Sequence, residues 1–142
     1  YVILVEPKVT LKQVAALVPK AERGVFYKMY LIQQQRYWNR EPLYILDEAT
    51  AYTNAILYHG WKKDKDPFRV KGATEFLAYS RALVRAVEKH DPDYAQLEDL
   101  KEYVKWSRAR TVELLIIYND GEPTPADRET NPFNFETVKC LP

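Results

Sequence analysis

The sequence predicts an all-α fold: a helical bundle of three long antiparallel helices with shorter helices and extended arms at both termini. Apolar residues recur at steps of three and four in several segments, the spacing of one helix face. Proline and glycine separate these segments. The connections between the long segments are short, which favours antiparallel neighbours. For 142 residues we expect one helical domain over residues 1–118 and an extended, proline-rich tail over residues 119–142.

The first forty residues predict an extended segment and two helices. The apolar run Tyr1–Val5 ends at Pro7 and indicates a short strand or an arm on the core. Thr10 is suited to cap a short helix that Pro19 ends. A second helix is expected over about residues 21–39. Its predicted apolar stripe is Val25, Met29 and Ile32, with an aromatic flank of Phe26, Tyr30 and Tyr37.

Three longer helices are expected to follow. The third opens at Glu41-Pro42 and closes at Gly60. A polar connector over residues 61–72 separates it from a fourth helix over about residues 73–89. Asp91 is suited to cap the fifth and longest helix, which runs to about Tyr118. Its predicted buried stripe is Leu97, Leu100, Val104, Ser107, Thr111, Leu114 and Tyr118. Arg81 and Arg108 are expected to face solvent.

Composition excludes several classes of function. The chain has 21 Lys and Arg against 20 Asp and Glu, a net charge of +1, which argues against nucleic-acid binding. No apolar run is long enough for a membrane span, so we expect a soluble protein. The single Cys140 excludes an internal disulfide; it is either a free thiol or a link to another chain. With only two histidines we expect no histidine-rich metal centre and no cofactor.

The third helix carries the main candidate cluster of polar residues. An α-helix turns by about 100° per residue, and this rotation places on one stripe of the third helix the residues Glu48, Tyr52 and His59. A carboxylate, a phenol and an imidazole on one helix edge could bind a metal or move a proton. Alternatively, Glu48 accepts a hydrogen bond from a Tyr or Arg of a neighbouring helix, and His59 merely suits the negative end of the helix dipole.

The stretch LYILDEATAY, residues 43–52, resembles the glutamate-bearing downstream helix of gluzincin-type zinc metallopeptidases. In that family a helical Glu supplies a zinc ligand after an upstream HExxH helix. The resemblance implies that Glu48 is a would-be metal ligand with Tyr52 as its neighbour. Because this chain has no HExxH, the resemblance implies a fragment of a larger enzyme or a degenerate relative.

Two hydroxyls interrupt the apolar seam of the fifth helix. Ser107 and Thr111 could form a polar layer that meets Glu48 or the Gln33–Gln35 patch and holds a small ligand between helices. Alternatively, each hydroxyl donates to the carbonyl four residues earlier.

These observations favour a non-catalytic module that binds another protein or a second copy of itself. The chain contains 11 Tyr, and opposite charges separate along it: residues 1–71 carry 12 basic and 7 acidic side chains, residues 72–142 carry 9 and 13. The basic half of one copy could therefore attract the acidic half of another copy. The alternatives are a fragment or degenerate relative of a zinc metallopeptidase and a helical bundle that binds a small ligand.

Overall fold

The computed structural model describes residues 5–62, 66–96 and 98–118, apart from the side chains of Trp61 and Tyr118. These residues form packed helices and no strand, so the all-α prediction is confirmed. The α-helices in chain order are α1 (Leu11–Leu17), α2 (Gln35–Trp38), α3 (Tyr44–Trp61), α4 (Pro67–His90), α5 (Pro92–Ala95) and α6 (Glu98–Tyr118). The predictions for residues 1–4, for the tail over residues 119–142 and for Cys140 fall outside the described residues.

Helix α1 begins where the sequence predicts. The Thr10 side chain accepts a hydrogen bond from the backbone N–H of Gln13, and the Gln13 side chain accepts one from that of Thr10. This reciprocal pair satisfies N–H groups that a helix start leaves without partners. The predicted apolar face is buried: Leu11, Val14, Ala15 and Val18.

The predicted second helix over residues 21–39 is wrong as one continuous α-helix. A 3-10 turn covers Lys20–Glu22, and residues 25–33 form what we call the π segment, in which two helical residues lead into a π-helix over Tyr27–Gln33. Helix α2 is a single turn after it. Regular α-helical spacing, on which the prediction relied, therefore does not hold across this stretch.

The π segment turns the predicted apolar stripe outward. Phe26 and Leu31 are both fully buried although they are five residues apart. In an α-helix they would point about 140° apart, whereas the wider π turn, closed by hydrogen bonds over five residues, brings them to one face. Val25, Met29 and Ile32 are consequently 55%, 45% and 44% exposed.

The polar connector between α3 and α4 is shorter than predicted. Gly60 lies inside α3 rather than ending it, and α4 begins at Pro67, six residues early. Asp66 caps α4 by accepting a hydrogen bond from the backbone N–H of Phe68 at 2.9 Å. Pro67 therefore occupies the first helical turn, where its missing N–H costs nothing, and does not break the chain.

The predicted fifth helix is divided in two. Helix α5 ends at Ala95, and α6 begins at Glu98. Asp91 does not cap α5 with its side chain; instead its Oδ2 accepts a hydrogen bond from the backbone N–H of Lys8 at 2.7 Å. The segment before α1 is thereby tied to the start of α5. Glu6 ties the same segment to α3, because its Oε2 accepts from the backbone N–H of Leu43 at 3.1 Å.

Helix α4 is the centre of the bundle. It packs against α1, α3, α5 and α6. Its buried residues cover more than one face, which small side chains such as Ala78, Ala82 and Ala86 make possible. In the described ranges, no helix is both long and apolar enough to cross a membrane. Every candidate site residue lies either on α3 or on a helix that packs against it.

Candidate functional site

An aromatic cluster joins the π segment to α3 and α4. We define it by Phe26, Tyr30, Tyr52 and Phe76. The ring centroids lie 5.4 Å apart for Phe26 and Tyr52, 5.1 Å for Tyr30 and Phe76, and 5.3 Å for Tyr52 and Phe76. These separations lie in the range where offset and edge-on aromatic pairs stabilise each other. The cluster holds Tyr52, a predicted site residue, inside the bundle.

Tyr52 is 5% exposed and packs directly on the backbone of α4. A Cβ at Gly72 would lie only 2.2 Å from a carbon of the Tyr52 ring, so only glycine fits at this position. The Tyr52 hydroxyl is hydrogen-bonded to the Tyr30 hydroxyl at 3.2 Å. Burial is the largest cause that raises the pKa of Tyr52, and the contact with Tyr30 raises it further. Tyr52 is therefore a neutral phenol at physiological pH.

Glu48 lies one turn before Tyr52 and is half-buried. Burial raises its pKa above 4.5, the Tyr30 hydroxyl partly offsets this, and the charge of Asp47 adds to the increase. Tyr44 donates a hydrogen bond to the backbone carbonyl of Tyr30. Burial and the charge of Glu48 raise the pKa of Tyr44. Glu48 thus lies among tyrosines of α3 and the π segment, whose raised pKa values keep the phenols of Tyr44 and Tyr52 protonated.

His59 does not join this group. It lies two helical turns after Tyr52, a rise of about 10 Å along α3. Its ring contacts that of Tyr58 edge-on, at a centroid distance of 5.6 Å. The stripe of Glu48, Tyr52 and His59 therefore exists on the helix, but the imidazole is too far along the axis to act on the same small ligand as the carboxylate.

Metal-ligating side chains are dispersed in the part of the chain that the structure describes. There, no three His, Cys, Asp or Glu residues are grouped so that they could hold a metal ion. Glu48 is surrounded by phenols, which do not replace the histidine and thiolate ligands of zinc. Its role as a would-be metal ligand stays a prediction.

Ser107 and Thr111 occupy the interface between α6 and α3. Thr111 is buried, and its hydroxyl lies 2.8 Å from that of Thr53 on α3 and 2.8 Å from the carbonyl of Ser107. Thr53 in turn lies 2.7 Å from the carbonyl of Ala49. The two hydroxyls have two protons for these three contacts: one hydroxyl donates to the other, and the second donates to the carbonyl of its own helix. Both protons are thus used without a ligand.

This polar layer differs from the one that the sequence predicts. Thr111 meets Thr53 rather than Glu48 or the Gln33–Gln35 patch. Gln35 bonds locally: its Nε2 donates to the carbonyl of Leu31 at 2.6 Å. A second hydroxyl pair continues the layer along the interface, since Thr50 lies 2.8 Å from the hydroxyl of Tyr103.

Sequence reasoning missed Glu75, which is only 7% exposed. Its carboxylate accepts hydrogen bonds from the backbone N–H groups of Val25 and Phe26, both at 3.0 Å, and from the Tyr79 hydroxyl at 2.6 Å. It therefore holds the start of the π segment. A Cβ at Gly24 would lie 1.9 Å from Oε1 of Glu75. The feature of the sequence that could have identified Glu75 is an acidic residue on a helix face that otherwise consists of apolar and small residues.

Comparison of the chain with protein-family models, with curated proteins and with solved structures found no match. The resemblance of residues 43–52 to gluzincin metallopeptidases therefore stays a prediction.

Proposed function

We propose that this chain is a non-catalytic helical module that associates with a second copy of itself through the outer face of the π segment. We define this outer face by Val25, Met29 and Ile32. The observation that carries the proposal is their exposure, 55%, 45% and 44%, on one short segment. Neighbouring exposed apolar side chains are typical of protein interaction surfaces, and methionine adapts readily to a partner.

The charge around the outer face supports an acidic partner. Residues 20–40 contain five basic side chains and one acidic side chain. All five basic residues are exposed: Lys20, Arg23, Lys28, Arg36 and Arg40. An apolar face with a basic rim favours a partner with an acidic rim, because opposite potentials steer the encounter and fix its orientation.

A second copy of the chain carries the complementary surface. Residues 88–102 contain six acidic side chains and two basic ones. The acidic residues there are exposed except Asp91. If the basic region of each copy contacts the acidic region of the other, the contact closes a symmetric dimer; if only one such contact forms per pair, it is heterologous and generates rings or open chains.

Light scattering across a range of protein concentrations tests this proposal. We expect the average mass to rise with concentration at about 0.05 M salt and to fall at about 0.5 M salt, where surface charges are screened. Ile32→Glu should abolish the association, because it places a negative charge in the apolar face, opposite an acidic partner surface.

Ile117→Glu is the matched control. It makes the same change at an apolar residue of α6 that is 57% exposed and lies outside the outer face. This variant should associate like the unaltered protein. A strictly monomeric protein at both salt concentrations, or an equal loss of association in both variants, would contradict the proposal.

A further inference from the structure

Two arginines come together where α4 packs against α6. Arg81 on α4 and Arg108 on α6 are each half-buried, although the sequence predicts that both face solvent. Burial lowers the pKa of Arg108 from its ordinary value, and the positive charge of Arg81 lowers it further. The positive charge of Arg81 thus acts on Arg108, and neither guanidinium is fully hydrated.

Among the described residues, one of these two arginines has a carboxylate partner. Oε1 of Glu22, in the 3-10 turn, lies 3.0 Å from Nη2 of Arg81. Arg108 has no equivalent: among residues 5–62, 66–96 and 98–118, none forms a hydrogen bond or an ion pair with it. Its Nε is buried and has no acceptor. Buried polar groups are as a rule hydrogen-bonded, so this guanidinium is an exception that requires a cause.

Arg108 stands in a row of α6 that is otherwise aliphatic. Leu100, Val104 and Val112 share its face at four-residue steps and are 2%, 5% and 6% exposed. Its Nε is enclosed, although the residue as a whole is only half-buried. A charge at the edge of an apolar surface attracts an opposite charge more strongly than the same charge in open water.

We propose that Arg81 and Arg108 bind an oxyanion, a phosphate or a carboxylate group, at the edge between α4 and α6. Arg108 offers a planar set of N–H donors that fits two oxygens of such a group, and no described residue uses them. Arg81 supplies the second positive charge. Glu22 neutralises one of the two charges, which leaves the trio with a net charge of +1.

The position of Glu22 allows a test that separates anion binding from a purely structural role of these residues. Its Oε1 is paired with Arg81, whereas its Oε2 is buried without a hydrogen-bond partner. A bound anion is repelled by this oxygen. Removing the charge of Glu22 should therefore strengthen anion binding, whereas removing the charge of Arg108 should weaken it. A purely structural role of the three residues predicts no such opposite effects.

Titration with inorganic phosphate, and separately with acetate, at constant ionic strength tests the site. The readouts are the melting temperature and the guanidinium NMR signal of Arg108. We expect a saturable upward shift of the melting temperature and a change of that signal with at least one of the two anions. The comparison between them decides between phosphate and carboxylate as the source of the oxyanion.

Three variants separate binding from general charge effects. Arg108→Gln should weaken the apparent affinity about ten- to hundredfold, the loss of a charge-assisted hydrogen bond. Arg108→Lys keeps the charge without the planar fork and should weaken it less. Glu22→Gln should tighten binding. Arg85→Gln, which removes an exposed charge one turn along α4, is the matched control and should bind like the unaltered protein.

The outcomes do not depend on the self-association proposal. Equal anion-induced shifts in Arg108→Gln and the unaltered protein would overturn the site, as would the absence of saturation with both anions. If Glu22→Gln binds no more tightly while Arg108→Gln abolishes binding, the anion site holds but the proposed opposing role of Glu22 is wrong.

Discussion

The two sides of α3 make contacts of different kinds. Toward α4, the Tyr52 ring lies on Gly72 and stacks on Phe76. Toward α6, threonine hydroxyls form short pairs, of which Thr53 with Thr111 is fully buried. The first contact depends on the absence of a single methyl group. The second depends on hydroxyls that can also donate to carbonyls of their own helices. We therefore expect substitutions on the aromatic side of α3 to destabilise the fold more than substitutions in the hydroxyl layer.

The largest effect should come from filling the close contact of α3 with α4. Gly72→Ala places a Cβ 2.2 Å from the Tyr52 ring, and a rigid ring against a helix backbone cannot yield cheaply. We expect a loss of about 1–3 kcal/mol in the free energy of unfolding, measured by urea denaturation.

Gly60→Ala is the matched control for this change. Among the described residues, no atom beyond the chain neighbours and the local helix backbone lies within 4 Å of the position that its Cβ would occupy, and the residue is exposed in α3. Alanine has the higher helix propensity, so this variant should gain up to about 1 kcal/mol. If both glycine variants shift stability in the same direction and by the same amount, the close contact does not limit the packing.

A smaller effect should follow from removing the buried hydroxyl pair. Thr53→Val and Thr111→Val should each cost about 0.5–1.5 kcal/mol in chemical denaturation, because the remaining hydroxyl keeps its own carbonyl as acceptor. In the double variant the two costs should be less than additive, since the shared hydrogen bond is lost only once. Strict additivity would show that the two hydroxyls are not coupled.

The smallest effect concerns the pH dependence of stability through Glu48. Burial raises its pKa in the folded protein above 4.5, so the folded state holds the proton more tightly than the unfolded chain. The stabilisation by this proton is complete below the unfolded pKa and is lost as pH rises through the folded pKa. Glu48→Gln should therefore melt at a higher temperature than the unaltered protein at pH 7, and the difference should shrink toward about pH 4.

Glu113→Gln is the control for the pH profile, because Glu113 is exposed on α6. It should leave the difference between pH 7 and acid pH unchanged. A Glu48→Gln variant that is less stable than the unaltered protein at pH 7 would show that the ionised carboxylate stabilises the fold, and that its hydrogen bonds outweigh its burial.

Local patterns predicted several parts of the structure correctly. Thr10 caps α1, and the apolar face of α1 is the buried one. The predicted third helix, which opens at Glu41-Pro42 and closes at Gly60, lies within a few residues of the observed α3 over Tyr44–Trp61. These features depend on capping and on α-helical spacing, which neighbouring residues determine. The placement of Glu48 and Tyr52 on one edge of α3 follows from the same spacing.

The sequence misassigned residues whose partners lie far along the chain. Val25, Met29 and Ile32 suit a buried stripe only if the helix is regular, and Glu75, fifty residues away, helps to hold a π segment instead. Arg108 resembles a solvated charge until the burial of its neighbours on α6 encloses its Nε. Neither result could be predicted from local spacing.

The sequence by itself determined that the chain forms helices, where α1, α3 and α5 begin, and which charges separate along it, because these properties depend on residues within a few positions of each other. Only the tertiary structure decided which face of the π segment meets water, which threonines pair, and which arginine lacks a counter-charge. Each of these depends on contacts between distant segments, and burial changes the energy of an apolar surface or a charge only after those segments have packed.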